Sequence, residues 1–313
     1  MNSPSPSRFR TSGAGPSTRG PAGTRSRPTS SARIRQRPRP GGGAARPGWS
    51  ITAIGAVLVV AGVIMGLALS SGSSPGGTSE PHGIGTAGGT GATPLPPAVL
   101  REVTTVPLRT LSAVGIPSGT QAPTPVTGGQ RELTGEDGKP ELLYVGAEYC
   151  PFCAAERWAL VVALSRFGTF TGLQATHSSD VDIYPDTRTL SFYGSDYSSR
   201  SLAFDPVELE TNQPVGDGYP TLQHLTAGER SVLRHFDAEP YSSEPGAIPF
   251  VDIGNRYVTV GAGLSPSVLS GLSLAQIGAD LAHPHSPVAR AIDGAANTLF
   301  VAITNVTGER PQR

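Results

Sequence analysis

The six residues Glu148-Tyr149-Cys150-Pro151-Phe152-Cys153 hold both cysteines of a 313-residue chain. Two thiols with two residues between them lie within one helical turn. One can attack a foreign sulfur and the other can resolve the product. The apolar run Leu142-Leu143-Tyr144-Val145-Gly146-Ala147 leads into them and predicts a central strand buried on both faces. Ala154, Trp158, Val161, Val162 and Ser165 recur behind them at helical spacing, so a helix starts at the cysteines. A helix start offers unpaired N–H groups and about half a positive charge. That end favours thiolate, the nucleophilic form of cysteine. Pro151 suits the first turn, where a missing N–H costs nothing. A CxxC beside a βαβ pattern reads as a redox centre.

Other chemistries fit less well. An inert disulfide here would close a very small loop, which by loop-closure entropy stabilises less than a long one. Two cysteines exclude a zinc site built only from sulfur. His283-Pro284-His285 lies far along the chain, and His177, His224 and His235 are expected as ordinary surface or loop residues. Glu148 is expected to tune the pKa of the pair or to relay a proton. Arg157, one turn past Cys153, would favour a thiolate, with a solvated helix face as the competing reading. Tyr149 and Phe152 flank the sulfurs as an apolar rim for substrate, core packing being the alternative for Tyr149. Trp158 is expected in the core. Asn305-Val306-Thr307 matches a glycosylation sequon, by chance on the simplest reading.

The elements that must position this motif follow from pattern and punctuation. Glu132–Thr134 and Glu141–Val145 flank the turn GEDGK. The helix is expected to end at Phe167-Gly168, with Gly168 as its C-cap. Leu173–His177 is expected to return as a strand parallel to the first, completing βαβ. Thr187–Tyr193 and Ser201–Glu210 read as strands, and residues 219–237 as a helix broken at Gly228. Pro249–Ile253 and Arg256–Val260 read as a hairpin turning at Gly254-Asn255. Two helical stretches close the chain, near 265–282 and 286–303. The order gives an α/β sandwich with one mixed sheet.

Composition divides the chain. Gly (40) and Pro (30) make up about 22 % of it, against roughly 12 % ordinarily. That excess points to an unfolded portion and to one folded domain. The net charge is zero, yet residues 1–46 hold ten arginines and no other charge. The remainder holds 13 Arg and one Lys against 24 acids, a net −10. Trp49–Leu69 (WSITAIGAVLVVAGVIMGLAL) is 21 residues without a charge, about 31 Å as a helix, which matches a bilayer core of roughly 30 Å. The arginines precede it, so the N-terminus is expected in the cytoplasm and the rest outside. A cleaved signal peptide has a shorter apolar region after a shorter basic start. Gly62 and Gly66 form a GxxxG pair suited to helix pairing. Residues 1–48 read as a disordered basic tail attracted to anionic lipid. Residues 70–97 read as a flexible tether, 98–305 as the folded domain and 306–313 as a tail. Nucleic acid is not expected as a partner.

A second mark is Ala247-Ile248-Pro249-Phe250, just before the hairpin. With it, residues 141–261 resemble the thioredoxin superfamily in element order and spacing. The phrase YVGAEYCPFCAAERWALVVALSRFG resembles a narrower group. These are the membrane-anchored thioredoxin-like proteins of actinobacteria and archaea classed as domain of unknown function 929. The resemblance covers most of residues 98–305 and implies a thioredoxin-like sandwich. It also implies a cis Ile248–Pro249 bond that faces the cysteines and presents the Ile248 backbone to a substrate chain. No cofactor and no metal are expected. The WCGPC-type centre is replaced by Tyr149-Cys150-Pro151-Phe152-Cys153, whose proline after the first cysteine is more like glutaredoxin and the periplasmic oxidants. A block of about 180–245 exceeds the minimal fold.

The expected function is that of a membrane-anchored, extracytoplasmic thiol–disulfide oxidoreductase acting on exported proteins, with a membrane redox partner. Cys150 attacks, Cys153 resolves, and the two alternate between dithiol and disulfide. A thioredoxin-like binding or scaffold protein is one alternative. Copper delivery is another, although copper carriers of that superfamily typically use CxxxC.

Overall fold

The computed structural model describes residues 91–309. The basic tail, the Trp49–Leu69 span with its Gly62/Gly66 pair, and the tether up to residue 90 lie outside the described residues. Among the described residues no helix is long and apolar enough to cross a membrane. The chain opens with β1 (Thr93–Pro94), α1 (Pro97–Thr104), α2 (Leu108–Val114) and β2 (Thr124–Pro125). Then β3 (Glu141–Gly146) runs into α3 (Pro151–Leu164), which starts at the cysteines. Four short strands follow: β4 (Gly168–Thr171), β5 (Gln174–His177), β6 (Arg188–Ser191) and β7 (Asp196–Ser199). After them come β8 (Ala203–Glu208), α4 (Ala227–Phe236), β9 (Phe250–Ile253) and β10 (Tyr257–Val260). A 3-10 turn (Pro266–Leu269), α5 (Leu274–Asp280) and α6 (Pro287–Thr307) complete the order.

The fold is mixed α/β, and its main sheet has five strands in the order β2-β10-β9-β3-β8. β3 runs parallel to β8, with Gly146 opposite Glu208, and antiparallel to β9 on its other side. β3 is buried on both faces, as its apolar run predicts. Leu142 and Tyr144 enter the larger core with residues of α3 and α6, whereas Leu143 and Val145 enter a smaller one with Val207, Phe250 and Phe236 of α4. Strand alternation thus sends successive side chains to two helical layers.

A second, antiparallel sheet, β1-β5-β6, covers another side of α3. Thr189 Oγ1 donates to Ala154 O (2.6 Å) and Trp158 Nε1 to Arg188 O (3.0 Å). With α6 on a further side, 13 of the 14 residues of α3 are buried. Trp158 is core, as expected.

Several expectations are corrected. Leu173–His177 is not the parallel return. As β5 it pairs antiparallel in the second sheet, and the parallel partner of β3 is β8, within the block expected as an insertion. Gly168 does not cap the helix, which ends at Leu164, but opens β4 opposite Ser199. A Cβ on Gly168 would come within 2.4 Å of Ser198 O, so strand approach, not helix ending, requires glycine there. Of residues 219–237, only Ala227–Phe236 is helical. Thr226 and Glu229 form a capping box at its start, and Gly228 sits inside the helix. Thr93–Pro94, expected in the tether, pair with β5, and α6 extends to Thr307, into the expected tail. The hairpin stands where expected, with Gly254 and Asn255 both at positive φ (64° and 54°).

Glu156, Asp252 and Asp293 are among the buried carboxyl groups of this framework. Burial pushes Glu156, Asp252 and Asp293 each up to about 7, and hydrogen bonds from Gly263 N–H and Asn255 N–H only partly offset this for the first two. A raised folded-state pKa means that the native chain holds protons the unfolded chain has lost. The stability these groups allow is therefore full at low pH and declines as pH rises through about 7. Glu156→Gln keeps an acceptor for Gly263 and removes the charge. In chemical denaturation of the full chain it should stabilise by up to about 3 kcal/mol at pH 8 and by almost nothing at pH 4. A gain independent of pH would show that ionisation of Glu156 is not the cause.

Candidate thiol–disulfide site

Cys150 is the N-cap of α3, with φ −75° and ψ 122°. Its Sγ accepts from Cys153 N–H at 3.2 Å, and its thiol donates to the Ile248 carbonyl at 3.9 Å. Pro151 occupies the first helical position, where no N–H is needed. The Ile248–Pro249 bond is cis. The local sequence explains the arrangement. A strand must stop at Gly146-Ala147 for the chain to turn, and Cys150 N–H closes that turn on Ala147 O at 3.2 Å.

The two sulfurs are unequal. Both are free thiols. Cys150 is 5 % exposed and Cys153 is 0 % exposed. Burial pushes the Cys153 thiol well above its ordinary range, and hydrogen bonding and charge at Cys150 add to that, against the opposing charge of Arg157. Cys150 is thus the sulfur an incoming group meets, and Cys153 lies behind it.

Beneath them lies a buried ionic cluster. Arg157 Nε and Nη2 donate to the two carboxylate oxygens of Glu208 at 2.8 and 2.6 Å, and Nη2 also donates to Ala147 O at 2.8 Å. Burial pushes the Glu208 carboxyl up and nearby Glu148 adds to the rise, while Arg157 opposes it. Arg157 itself stays charged. Burial acts to lower its pKa, but Glu208, Tyr144 and Glu148 together outweigh that. Glu148 is fully buried, with Oε1 accepting from the Ser191 hydroxyl. Glu148 Oε2, Arg157 Nη1 and Tyr144 Oη make no hydrogen bond.

The rim is aromatic. Tyr149 stacks on Tyr219 (centroids 4.3 Å apart, planes 9° apart), and Phe152 meets Tyr184 edge-on at 5.9 Å. Tyr219 Oη donates to Ser179 Oγ (2.7 Å), and Ser179 N–H donates to Tyr149 O (2.8 Å). Tyr149 and Phe152 are half-buried, so both stand at the mouth of the site.

The expected site residues therefore converge: Cys150 and Cys153 at the helix start, Ile248 and Pro249 facing them, Tyr149 and Phe152 at the rim, Glu148 and Arg157 below. The solvated-face reading of Arg157 is overturned. Its side chain is fully buried because β8 delivers a carboxylate to it. His177 pairs with Asp186 (3.1 Å), while His224, His235, His283 and His285 are exposed. Among the described residues no three His, Cys, Asp or Glu side chains gather as a metal site. Sequence reasoning missed Glu208, Ser191, Tyr184 and Tyr219. The one available signal was an acid at the end of the apolar strand that runs to Val207.

Removing one partner of a buried ion pair leaves the other uncompensated. Arg157→Met should destabilise the full chain by about 3–5 kcal/mol in chemical denaturation. The double variant Arg157→Met/Glu208→Leu should recover much of that loss. Additive losses in the double variant would show that the pair is not coupled.

A family model described as a domain of unknown function, DUF929, matches residues 129–305. That stretch holds every residue of the site. No curated protein and no solved structure matches the chain. A match over more than half of the chain that takes in the cysteine helix, the ionic cluster and the facing Ile248-Pro249 segment places this protein in the DUF929 family.

Proposed function

We propose that this chain is a membrane-anchored, extracytoplasmic thiol–disulfide oxidoreductase of thioredoxin-like fold that acts on exported proteins. The observation that carries the reading is the inequality of the two thiols at one helix start. Cys150 caps the helix, 5 % exposed and in contact with the Ile248 carbonyl, and Cys153 is fully sealed behind it. Fold support comes from strands β8-β3-β9-β10, a parallel pair followed by an antiparallel hairpin, with α3 and α6 on one face and α4 on the other. An anchor fits the uncharged Trp49–Leu69 span and the ten arginines before it. Those arginines would also draw the tail to anionic lipid.

The reaction is an exchange. The Cys150 thiolate attacks one sulfur of a substrate disulfide and displaces the other as thiolate. A mixed disulfide forms, held along Ile248 and Pro249 and against Tyr149 and Phe152. Cys153 then gives up its proton and attacks Cys150 Sγ, releasing the second substrate thiol. Two electrons pass from the cysteine pair to the substrate, and the pair ends as the Cys150–Cys153 disulfide. In the reverse direction the disulfide takes two electrons from a substrate dithiol, and a membrane redox partner regenerates it. Glu148, with one unpartnered oxygen beneath the pair, is the acceptor for the Cys153 proton. Arg157, fixed by Glu208, favours the anionic sulfur.

The test is equilibration of the full chain with glutathione and dithiothreitol, together with trapping by Cys153→Ala. Exchange should occur, and Cys153→Ala should accumulate mixed disulfides that Cys150→Ala lacks. A potential near about −120 to −180 mV would mark an oxidant or isomerase, and about −270 mV a reductase. A value below about −300 mV, or no exchange, would mark an inert disulfide and overturn the proposal in favour of a binding module.

A further inference from the structure

Two loops are pinned beside the cysteine pair, and their composition is unusual. Residues 178–187 (SSDVDIYPDT) hold three acids, residues 210–219 (ETNQPVGDGY) hold two, and neither has a Lys or Arg. The first is tied to the site by Ser179 N–H on Tyr149 O (2.8 Å) and by Tyr184 on Phe152. The second is tied by Glu148 N–H on Glu210 O (2.9 Å) and by the Tyr149–Tyr219 stack. Tyr219 Oη to Ser179 Oγ joins the loops to each other.

Their tips are apolar as well as acidic. Among the described residues six large apolar side chains are exposed, and three of them are here: Val181 (73 %), Ile183 (60 %) and Val215 (68 %). Packing does not explain such side chains on two loops joined to each other through Tyr219 and Ser179, and exposed apolar groups beside a site are the kind of surface that contacts a partner. The charge is largely uncompensated. Asp186 is paired with Arg188 (2.8 Å) and His177 (3.1 Å), but Asp180 and Asp217 stand exposed. The segment leading to Ile248 adds exposed Glu239 and Glu244 and no base. A neutral apolar chain would gain nothing from these acids, and an acidic one would be repelled.

We infer that the two loops form a docking surface for an extended polypeptide whose reacting cysteine is flanked by basic and apolar residues. The side chains of the partner's apolar residues lie against Val181, Ile183 and Val215, and its Arg or Lys residues face Asp180, Asp182 and Asp217. The surface sorts substrates by charge before any sulfur reacts. Complementary charge acts mainly on the rate of encounter and on the rejection of wrong partners. This inference rests on the exchange reaction proposed above.

The experiment uses the reduced full chain and three disulfides. Two are cyclic peptides of equal length, one with Arg and Leu around its cysteines and the other with Glu and Leu. The third is the small neutral 2-hydroxyethyl disulfide. The cationic peptide should exchange about 10-fold or more faster than the anionic one at low salt. The ratio should fall toward one at about 0.5 M salt, where charges are screened beyond a few ångströms. It should also shrink in Asp180→Asn/Asp217→Asn. Val181→Ser/Ile183→Ser should slow both peptides and leave their ratio in place. Equal peptide rates in a chain that exchanges with 2-hydroxyethyl disulfide overturn this inference and leave the redox function standing. Absence of exchange with 2-hydroxyethyl disulfide overturns the redox function itself.

Discussion

A buried guanidinium gripped by one carboxylate and one peptide carbonyl holds the site together. Arg157 belongs to α3, Glu208 to the end of β8 and Ala147 to the turn after β3. Without that pairing an arginine could not sit at 0 % exposure four residues beyond Cys153. With it, the helix is locked in rotation and depth against two parallel strands, and the depth decides which sulfur is outermost. The inequality of the thiols accompanies their places at the helix start, Cys150 as the N-cap and Cys153 within the first turn. The same charge opposes the burial that keeps the Cys153 proton in place, so one interaction sets both position and electrostatics.

Much of this was legible in the amino-acid order. A six-residue apolar run, two cysteines and a proline in the next turn, and a Gly-Asn hairpin announce β3, the start of α3 and the β9–β10 pair through local rules of spacing and turn geometry. Those rules fail where a residue's role depends on a distant strand. Leu173–His177 has the same apolar alternation whether it joins the main sheet or a second one, and only the pairing with Thr93–Pro94 and β6 decides. Gly168 looks like a helix stop because a glycine after an apolar helix usually is one. Its real constraint, the carbonyl of Ser198, lies thirty residues on. Arg157 reads as surface for the same reason, since Glu208 is invisible as a partner until β8 is known to lie beside β3.

The second sheet also accounts for the character of α3. An amphipathic helix shows its buried stripe in its spacing, but a helix enclosed by a sheet, another helix and a second sheet has no solvent face to contrast with. Its apolar excess is then uniform, and its polar members become the informative ones. Arg157, Glu156 and the Ala154 carbonyl bonded by Thr189 each mark a contact that apolar matter could not supply. Buried charge in this helix costs stability unless it is paired, and Arg157 is paired with Glu208 next to the cysteines.

The separation of the ionic partners along the chain sets an order of assembly. Arg157 is made 51 residues before Glu208, and the four strands β4–β7 intervene. A chain emerging from its N-terminus thus presents both sulfurs well before the strand that fixes their helix has arrived. Until β8 docks, the guanidinium lacks the Glu208 carboxylate that holds it in the folded chain. Long-range pairings of this kind form late because loop closure precedes any gain from contact. The surroundings that distinguish the two sulfurs are therefore complete only in the finished domain.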